Sequence, residues 1–429
     1  MIRRTPLWRS VAVLGAAGLI LSACGGDDGD SEAKDTKSAA PQQASKIEKG
    51  DGTLVIGSVL PQTGSLAFLG PPEFAGVALG VEEVNEAGGV LGKPIESFEG
   101  DSGDTTTNIA SQTVDRLLSQ DSDVIVGAAS SATSFTFIDK VTSAGAVQFS
   151  PANTSPDFTT YADKGLYFRT APSDVLQGRV LGDLVLSEGN ATVGILALQD
   201  PYGEGLADNT EKAITSGGGE VVEKVVYDPN APEFSAEVSK IKAADPDAVV
   251  LIGFEESSKL IGELVKQNIG PQQGKKLYLV DGNLGNALGE KLPKGVLKDV
   301  KGTLPGAEAT QAFRDRLLKI DPKLKDYSYA AESYDAVVLS ALAAEAAGND
   351  SGTAVASELV NVSKGGEKCD NFADCKALLD DKKDIDYDGV SGPVEFSDAG
   401  DPTEASIGIY TYNAQNVLTD QVEYRTGKL

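Results

Sequence analysis

Residues 123–156 read DVIVGAASSATSFTFIDKVTSAGAVQFSPANTSP, and the fold is decided here. Residues 123–126 are a short apolar run, Gly127-Ala128-Ala129-Ser130-Ser131 is a turn of small residues, and a helical segment follows. Residues 146–150 form a second apolar run that ends in Pro151-Ala152-Asn153-Thr154. A buried strand feeding a small-residue turn that opens a helix leaves backbone N–H groups unpaired at the strand's carboxyl end, where open α/β sheets bind ligands. The stretch reads as an anion seat. Ser130, Ser131, Thr133 and Thr154 add hydroxyls, and the small side chains let a guest approach the backbone. Ser and Thr at such turns also act simply as helix caps, but two polar turns, each following a strand, favour a site.

Outward from this stretch the chain alternates strand and helix. Residues 54–59 form an apolar strand, and Phe74, Val77, Val81 and Val84 then recur at helical spacing until Gly88-Gly89 stops them. A strand near 94–98 and a helix with Ile109, Leu117 and Leu118 inward come next. After a pause at 167–171 the alternation resumes, with strands at 192–198, 220–227, 248–253 and 276–280 and helices at 173–187, 204–216, 233–243 and 257–267. Repeated βα units of this kind specify doubly wound parallel sheets. Beyond 296–304 helical patterns dominate (309–319, 329–347, 353–362), leaving too few strands for a third sheet, so these helices are placed back on the first lobe. The expected fold is α/β: two doubly wound parallel-sheet lobes joined by a three-segment hinge, with crossings near Thr170, Thr303 and Pro393. Lobe I then comprises 51–170 plus 304–393, and lobe II 171–303 plus 394–429. Lobes joined in this way can close over a small molecule.

At the amino end Arg3, Arg4 and Arg9 precede an apolar run, 11–21, that closes in Leu21-Ser22-Ala23-Cys24. Basic head, short apolar core and small residues read as a secretory signal over 1–23, the core being too short for a spanning helix. The Leu-Ser-Ala-Cys ending resembles a bacterial lipobox, which implies acylation of Cys24. Residues 24–50, rich in Gly, Asp, Ser, Lys, Ala and Gln, read as a flexible tether. Removing the three arginines takes the formal charge from −27 to −30, which argues against nucleic acid and against an electrostatic grip on anionic lipid. Cys369 and Cys375 read as a small extracytoplasmic disulfide loop. The absence of histidine excludes Ser-His-Asp and Cys-His nucleophiles and His-ligated zinc.

The chain resembles type I periplasmic binding proteins, and in particular the lipoprotein substrate-binding components of branched-chain amino acid ABC transporters. The resemblance rests on the order and spacing of IGSVLPQTGSLAFLGPPEFAGVALGVEEVNEAGGVLGKPIE, VGAASSATS, SPANTSP, LYFRTAPSD, DPYGEGLA, FSAEVSKIKAADPDAVVLIGF and YDGVSGPVEF. It implies a free amino acid held between the lobes. Ser131, Ala152 and Thr154 of lobe I would receive the zwitterion, and Tyr202 and Asp281 of lobe II would close over its α-amino end. N–H groups and hydroxyls suit a carboxylate, and a buried ammonium needs a counter-charge. Taken alone, Tyr202 reads equally as a packing aromatic and Asp281 as a turn residue. For the ligand side chain, Phe68, Leu69, Phe254 and Tyr329 are the expected walls, and Ala128 and Ala129 are smaller than the residues usual in that turn.

Asp384 to Glu395 matches the spacing of a calcium loop. Pro393 and the alternation of Val394, Glu395 and Phe396 read instead as a strand, and no metal or cofactor is expected. The functional expectation is a monomeric, lipid-anchored receptor on the extracytoplasmic face of the cell membrane. It captures a branched-chain or other apolar amino acid and delivers it to an ABC transporter permease. The alternative is a sensor or binding protein for amides, ureas or aromatic acids. An enzyme is not expected, since no pair of acids placed at strand ends around a groove is evident.

Overall fold

The computed structural model describes residues 46–429, so the expected signal, Cys24 and the expected tether up to residue 45 lie outside the described residues. β1 (Val55–Leu60) is buried at every position, as a strand covered by helices on both faces must be. α1 (Gly70–Glu86) starts on Pro71-Pro72 and runs to β2 (Glu96–Asp101), which lies slightly beyond the expected 94–98. α2 (Ile109–Leu118) leads to β3 (Val124–Gly127). The single helix expected after Ser131 is two short ones, α3 (Ser131–Phe135) and α4 (Ile138–Ser143), which precede β4 (Val147–Ser150). The expected pause at 167–171 contains a strand, β5 (Tyr167–Arg169), too short to show a period in sequence. Together these strands form a parallel sheet in the order β2-β1-β3-β4-β5.

The chain then crosses to a second sheet. α5 (Asp174–Ser187), β6 (Thr192–Leu198), α6 (Pro201–Ser216), β7 (Glu220–Tyr227), α7 (Ser235–Ala244), β8 (Ala248–Ile252), α8 (Ser257–Lys266) and β9 (Lys276–Val280) alternate as expected. A short helix, α9 (Asn286–Glu290), precedes β10 (Lys301–Pro305), and the chain returns to the first lobe as α10 (Gln311–Ile320), α11 (Ala330–Ala347) and α12 (Gly352–Val362). α11 is Ala-rich and buried from Ala330 to Ala344, which identifies it as a central rather than a surface helix. It packs on α1, where Gly76 approaches the Ala330 carbonyl and Gly80 approaches Val337.

β11 (Glu367–Cys369), α13 (Phe372–Asp380), β12 (Ile385–Gly389) and β13 (Gly392–Pro393) complete the first lobe, and Cys369 is disulfide-bonded to Cys375. The calcium-like spacing thus falls on the β12-β13 antiparallel pair, where Asp388 receives Lys368 Nζ at 2.6 Å. No group of three or more acidic, His or Cys side chains able to hold a metal occurs among the described residues. The last crossing delivers β14 (Glu404–Thr411) and β15 (Glu423–Lys428), which add to the second sheet antiparallel, giving β15-β14-β10-β9-β8-β6-β7. The second lobe is therefore parallel in its interior with an antiparallel edge.

The apolar core of the second lobe continues into Leu66, Leu69, Ala129, Ala152 and Tyr329 of the first. The lobes meet across the cleft rather than standing apart. No helix among the described residues is long and apolar enough to cross a membrane.

Candidate functional site

The two polar turns at the carboxyl ends of β3 and β4 are tied into one surface. Asn153 Nδ2 donates to the carbonyls of Ala128 (3.0 Å) and Ala129 (2.9 Å), and Ser150 Oγ donates to the Ala128 carbonyl at 2.8 Å. Gly127 adopts φ +127° against β1, where a Cβ would overlap the Val59 carbonyl, so only glycine fits. Ser130 caps α3 by accepting from Thr133 N at 3.2 Å, and Ser131 Oγ accepts from Ser155 N at 3.3 Å. Ser130 is therefore a cap, while Ser131 and Thr154 sit side by side. The backbone N–H groups of Ser131 and Thr154 donate to no other described residue. Both residues are buried, with Ala152 beside them. Thr133 Oγ1 is buried without a partner and belongs to the packing beneath the turn.

Arg169 holds this surface from below, and sequence reasoning missed it. It is fully buried; Nη1 donates to the carbonyls of Asn153 (3.2 Å) and Ser155 (2.8 Å), and Nε pairs with Asp401 Oδ1 at 2.5 Å. One guanidinium thus joins the PANTS turn to the last lobe crossing. Its fork of donors in fixed geometry is what such a bridge requires.

On the second lobe Asp281 follows β9 and is 4 % exposed. Its Oδ1 accepts from Tyr202 OH (2.8 Å) and Gln177 Nε2 (2.8 Å), and its Oδ2 accepts from Tyr329 OH (2.7 Å). Burial pushes the Asp281 carboxyl up from its ordinary range, and these hydrogen bonds oppose the shift. Asp174, three residues before Gln177 and so on the same face of α5, is fully buried, and neither of its oxygens has a well-aligned hydrogen-bond partner. Burial, with the Asp281 charge adding, holds Asp174 well above the usual carboxylate range, and the Thr154 hydroxyl and Arg169 pull the other way. Its backbone N–H donates to the Thr154 carbonyl at 2.8 Å. In sequence Asp174 is an ordinary first-turn acid after the cap Ser173.

The expected side-chain walls divide. Phe68 and Phe254 line a cavity of about 120 Å³ between the lobes, together with Ala67, Gly285 and Leu288, and the Glu255–Lys291 ion pair lies at its edge. Phe254 stacks on Tyr202 with ring centroids 5.5 Å apart. Leu69 lies in the shared core instead of this wall, because the turn before α1 points it inward. Tyr329 also does not line this cavity: its hydroxyl is committed to Asp281. A wider, more polar cavity of about 570 Å³ adjoins the first at Ser65, Phe254 and Glu255 and is edged by Asp104, Asp200 and Asp228.

The pattern of the periplasmic binding protein family matches residues 53–415. The chain belongs to that family. Among individual relatives, Leu/Ile/Val-binding protein homolog 3 of Brucella melitensis is 27% identical over 378 residues, covering 85% of this chain and 93% of the relative. Among solved structures the fold matches the branched-chain amino acid transporter substrate binding protein LivJ of Streptococcus pneumoniae, in complex with isoleucine, with TM-score 0.72 and 22% identity over 87% of this chain and 100% of the other. It also matches an R. palustris ABC transporter solute binding protein in complex with benzoate, with TM-score 0.69 and 19% identity over 88% of this chain and 98% of the other. This periplasmic binding protein is an extracytoplasmic binding protein of the leucine-binding-protein type, and the relatives it matches are binding proteins rather than enzymes.

Proposed function

We propose that this protein captures a free amino acid with an apolar side chain between its lobes and delivers it to an ABC transporter permease while anchored to the membrane through lipid on Cys24. The observation that carries the reading is one of charge. Free N–H groups at Ser131 and Thr154 and the Ser131 hydroxyl suit a carboxylate, and the buried acids Asp281 and Asp174 stand beside them with no ion-paired base among the described residues. A zwitterion complements both halves, because its ammonium supplies the missing positive charge and its carboxylate the missing acceptor. Phe68, Phe254 and Leu288 give the side chain an apolar room. Tyr202 donates to Asp281 and so orients the carboxylate that meets the ammonium.

The same walls, with the Tyr202–Phe254 stack, favour one second reading, an aromatic acid held by its carboxylate alone. Thermal shift of the chain lacking residues 1–24 against free amino acids, their amides, ureas and aromatic acids separates the two. An apolar amino acid giving the largest shift supports the first reading; benzoate outperforming every amino acid replaces it with the second. Mass analysis of the membrane-derived amino-terminal peptide tests the anchor, and an unmodified Cys24 would remove it.

A further inference from the structure

Where the second crossing passes between the lobes there is another cavity, of about 170 Å³, walled by Leu304, Arg314, Tyr327, Tyr329, Glu332 and Tyr410. Two of its polar groups make no side-chain contact with a charge of opposite sign among the described residues. Arg314 Nε is buried without a hydrogen bond, and its guanidinium forms no ion pair among the described residues, lying instead over the Tyr327 ring at 5.2 Å. The Glu332 side chain is 4 % exposed and receives no hydrogen bond from another described residue. Gly306, at φ +115° in the crossing itself, lies so close that a Cβ there would overlap Glu332 Oε1. Asp326 and Asp420 also border the cavity, Asp326 accepting from Asn286 Nδ2 at 2.7 Å, and Lys325, which lies 3.6 Å from Glu290, borders it too.

We propose that this hinge cavity is a second binding site, taking a small monocarboxylate between Arg314 and Glu332. Arg314 lines the cavity, and its Nη groups have neither a hydrogen bond nor an ion pair among the described residues; a carboxylate is the acceptor that fits such a fork of donors. Burial, with the Asp335 charge adding, pushes the Glu332 carboxyl up to about 8. At neutral pH it therefore presents an O–H donor to the second oxygen of the guest, and a carboxylate there meets a donor instead of a like charge. The volume admits several waters, so a guest of a few carbon atoms displaces them without rearrangement. Arg314, Tyr327 and Glu332 belong to the first lobe, and Leu304 and Tyr410 to the second. Tyr329 shares this wall and holds Asp281 across the cleft. A guest here favours the arrangement in which these walls meet, and it is linked to closure on whatever the cleft holds.

Propionate is the probe, with chloride at equal ionic strength as the control. Calorimetry and thermal shift are read on the wild type, on Thr154→Val to weaken the cleft, and on Arg314→Gln. Propionate is expected to bind the wild type and Thr154→Val alike, with at least a tenfold loss in Arg314→Gln while that variant's response to leucine matches wild type. Glu332→Gln, which keeps a donor, is expected to retain binding, and Glu332→Leu to lose it. No propionate effect beyond chloride, meaning a cavity that holds only water, overturns the proposal. So does undiminished binding in Arg314→Gln, and so does binding that disappears in Thr154→Val, which would place propionate in the cleft.

Discussion

Tyr329 and Asp281 lie on different lobes, and the tyrosine hydroxyl donates to Asp281 Oδ2 at 2.7 Å inside a fully buried junction. The carboxylate expected to grip a ligand thus also latches the lobes. Tyr329→Phe removes the cross-lobe bond and leaves Asp281 with Tyr202 and Gln177. The closed state is expected to lose about 1 to 3 kcal/mol, the range for a buried hydrogen bond to a carboxylate. Small-angle scattering of the ligand-free variant should show a larger radius of gyration than wild type; an unchanged radius removes the latch.

Arg169 binds the turn at Asn153 to Ser155 to the last crossing, so Arg169→Met strands Asp401 and the carbonyls of Asn153 and Ser155. Breaking one side of a buried ion pair costs about 3 to 5 kcal/mol. Chemical denaturation should record a loss of that size, reduced when Asp401→Leu is added. A loss under about 1 kcal/mol, the value of an exposed pair, would mean the bridge does not hold the turn.

Much of this was legible beforehand, and the failures have physical causes. The β3 and β4 turns could be read because each follows a continuous apolar run, and the alternation over 192–280 survived almost unshifted. β5 has three residues, too few for a period. β14 carries Ile407 and Ile409 inward, but Gly408 between them faces Tyr410 and Tyr424 and blurs the alternation. Arg169 and Asp174 were quoted within one motif, yet a charged residue in sequence looks solvated until its neighbours are known. Their burial is a tertiary fact.

Where the described chain begins, Asp350 gathers it onto the first lobe. Its carboxylate accepts from Asp51 N (3.1 Å), Gly52 N (2.9 Å) and Thr53 N (3.1 Å). Asp350→Ala releases this segment at a cost of about 1 to 3 kcal/mol. Trypsin should then cut after Lys46 and Lys49 sooner than in wild type, with leucine affinity unchanged. Equal cleavage rates would show that other contacts carry the segment.

Burial pushes Asp123 and Asp200 up to about 7 and Glu332 up to about 8. In the unfolded chain such carboxyls titrate near 4, so between about pH 4 and pH 8 the folded state holds protons that the unfolded state has released. Their contribution is fully present below that window and is lost as pH rises through it. The ligand-free melting temperature should fall from about pH 5 to about pH 8, and Glu332→Gln should flatten the upper part of the fall. A melting temperature that climbs across the window contradicts these assignments.

The central claim is that the cleft recognises an ammonium as well as a carboxylate, and calorimetry of leucine against its des-amino analogue 4-methylpentanoate tests it most directly. Wild type is expected to favour leucine strongly, and Asp281→Ala to erase that preference: both ligands lose the share that the Tyr329 latch gives to closure, and leucine weakens about a hundredfold more than 4-methylpentanoate, as loss of a buried counter-charge requires. Equal weakening of both ligands, or wild-type affinity for 4-methylpentanoate matching that for leucine, would contradict the account.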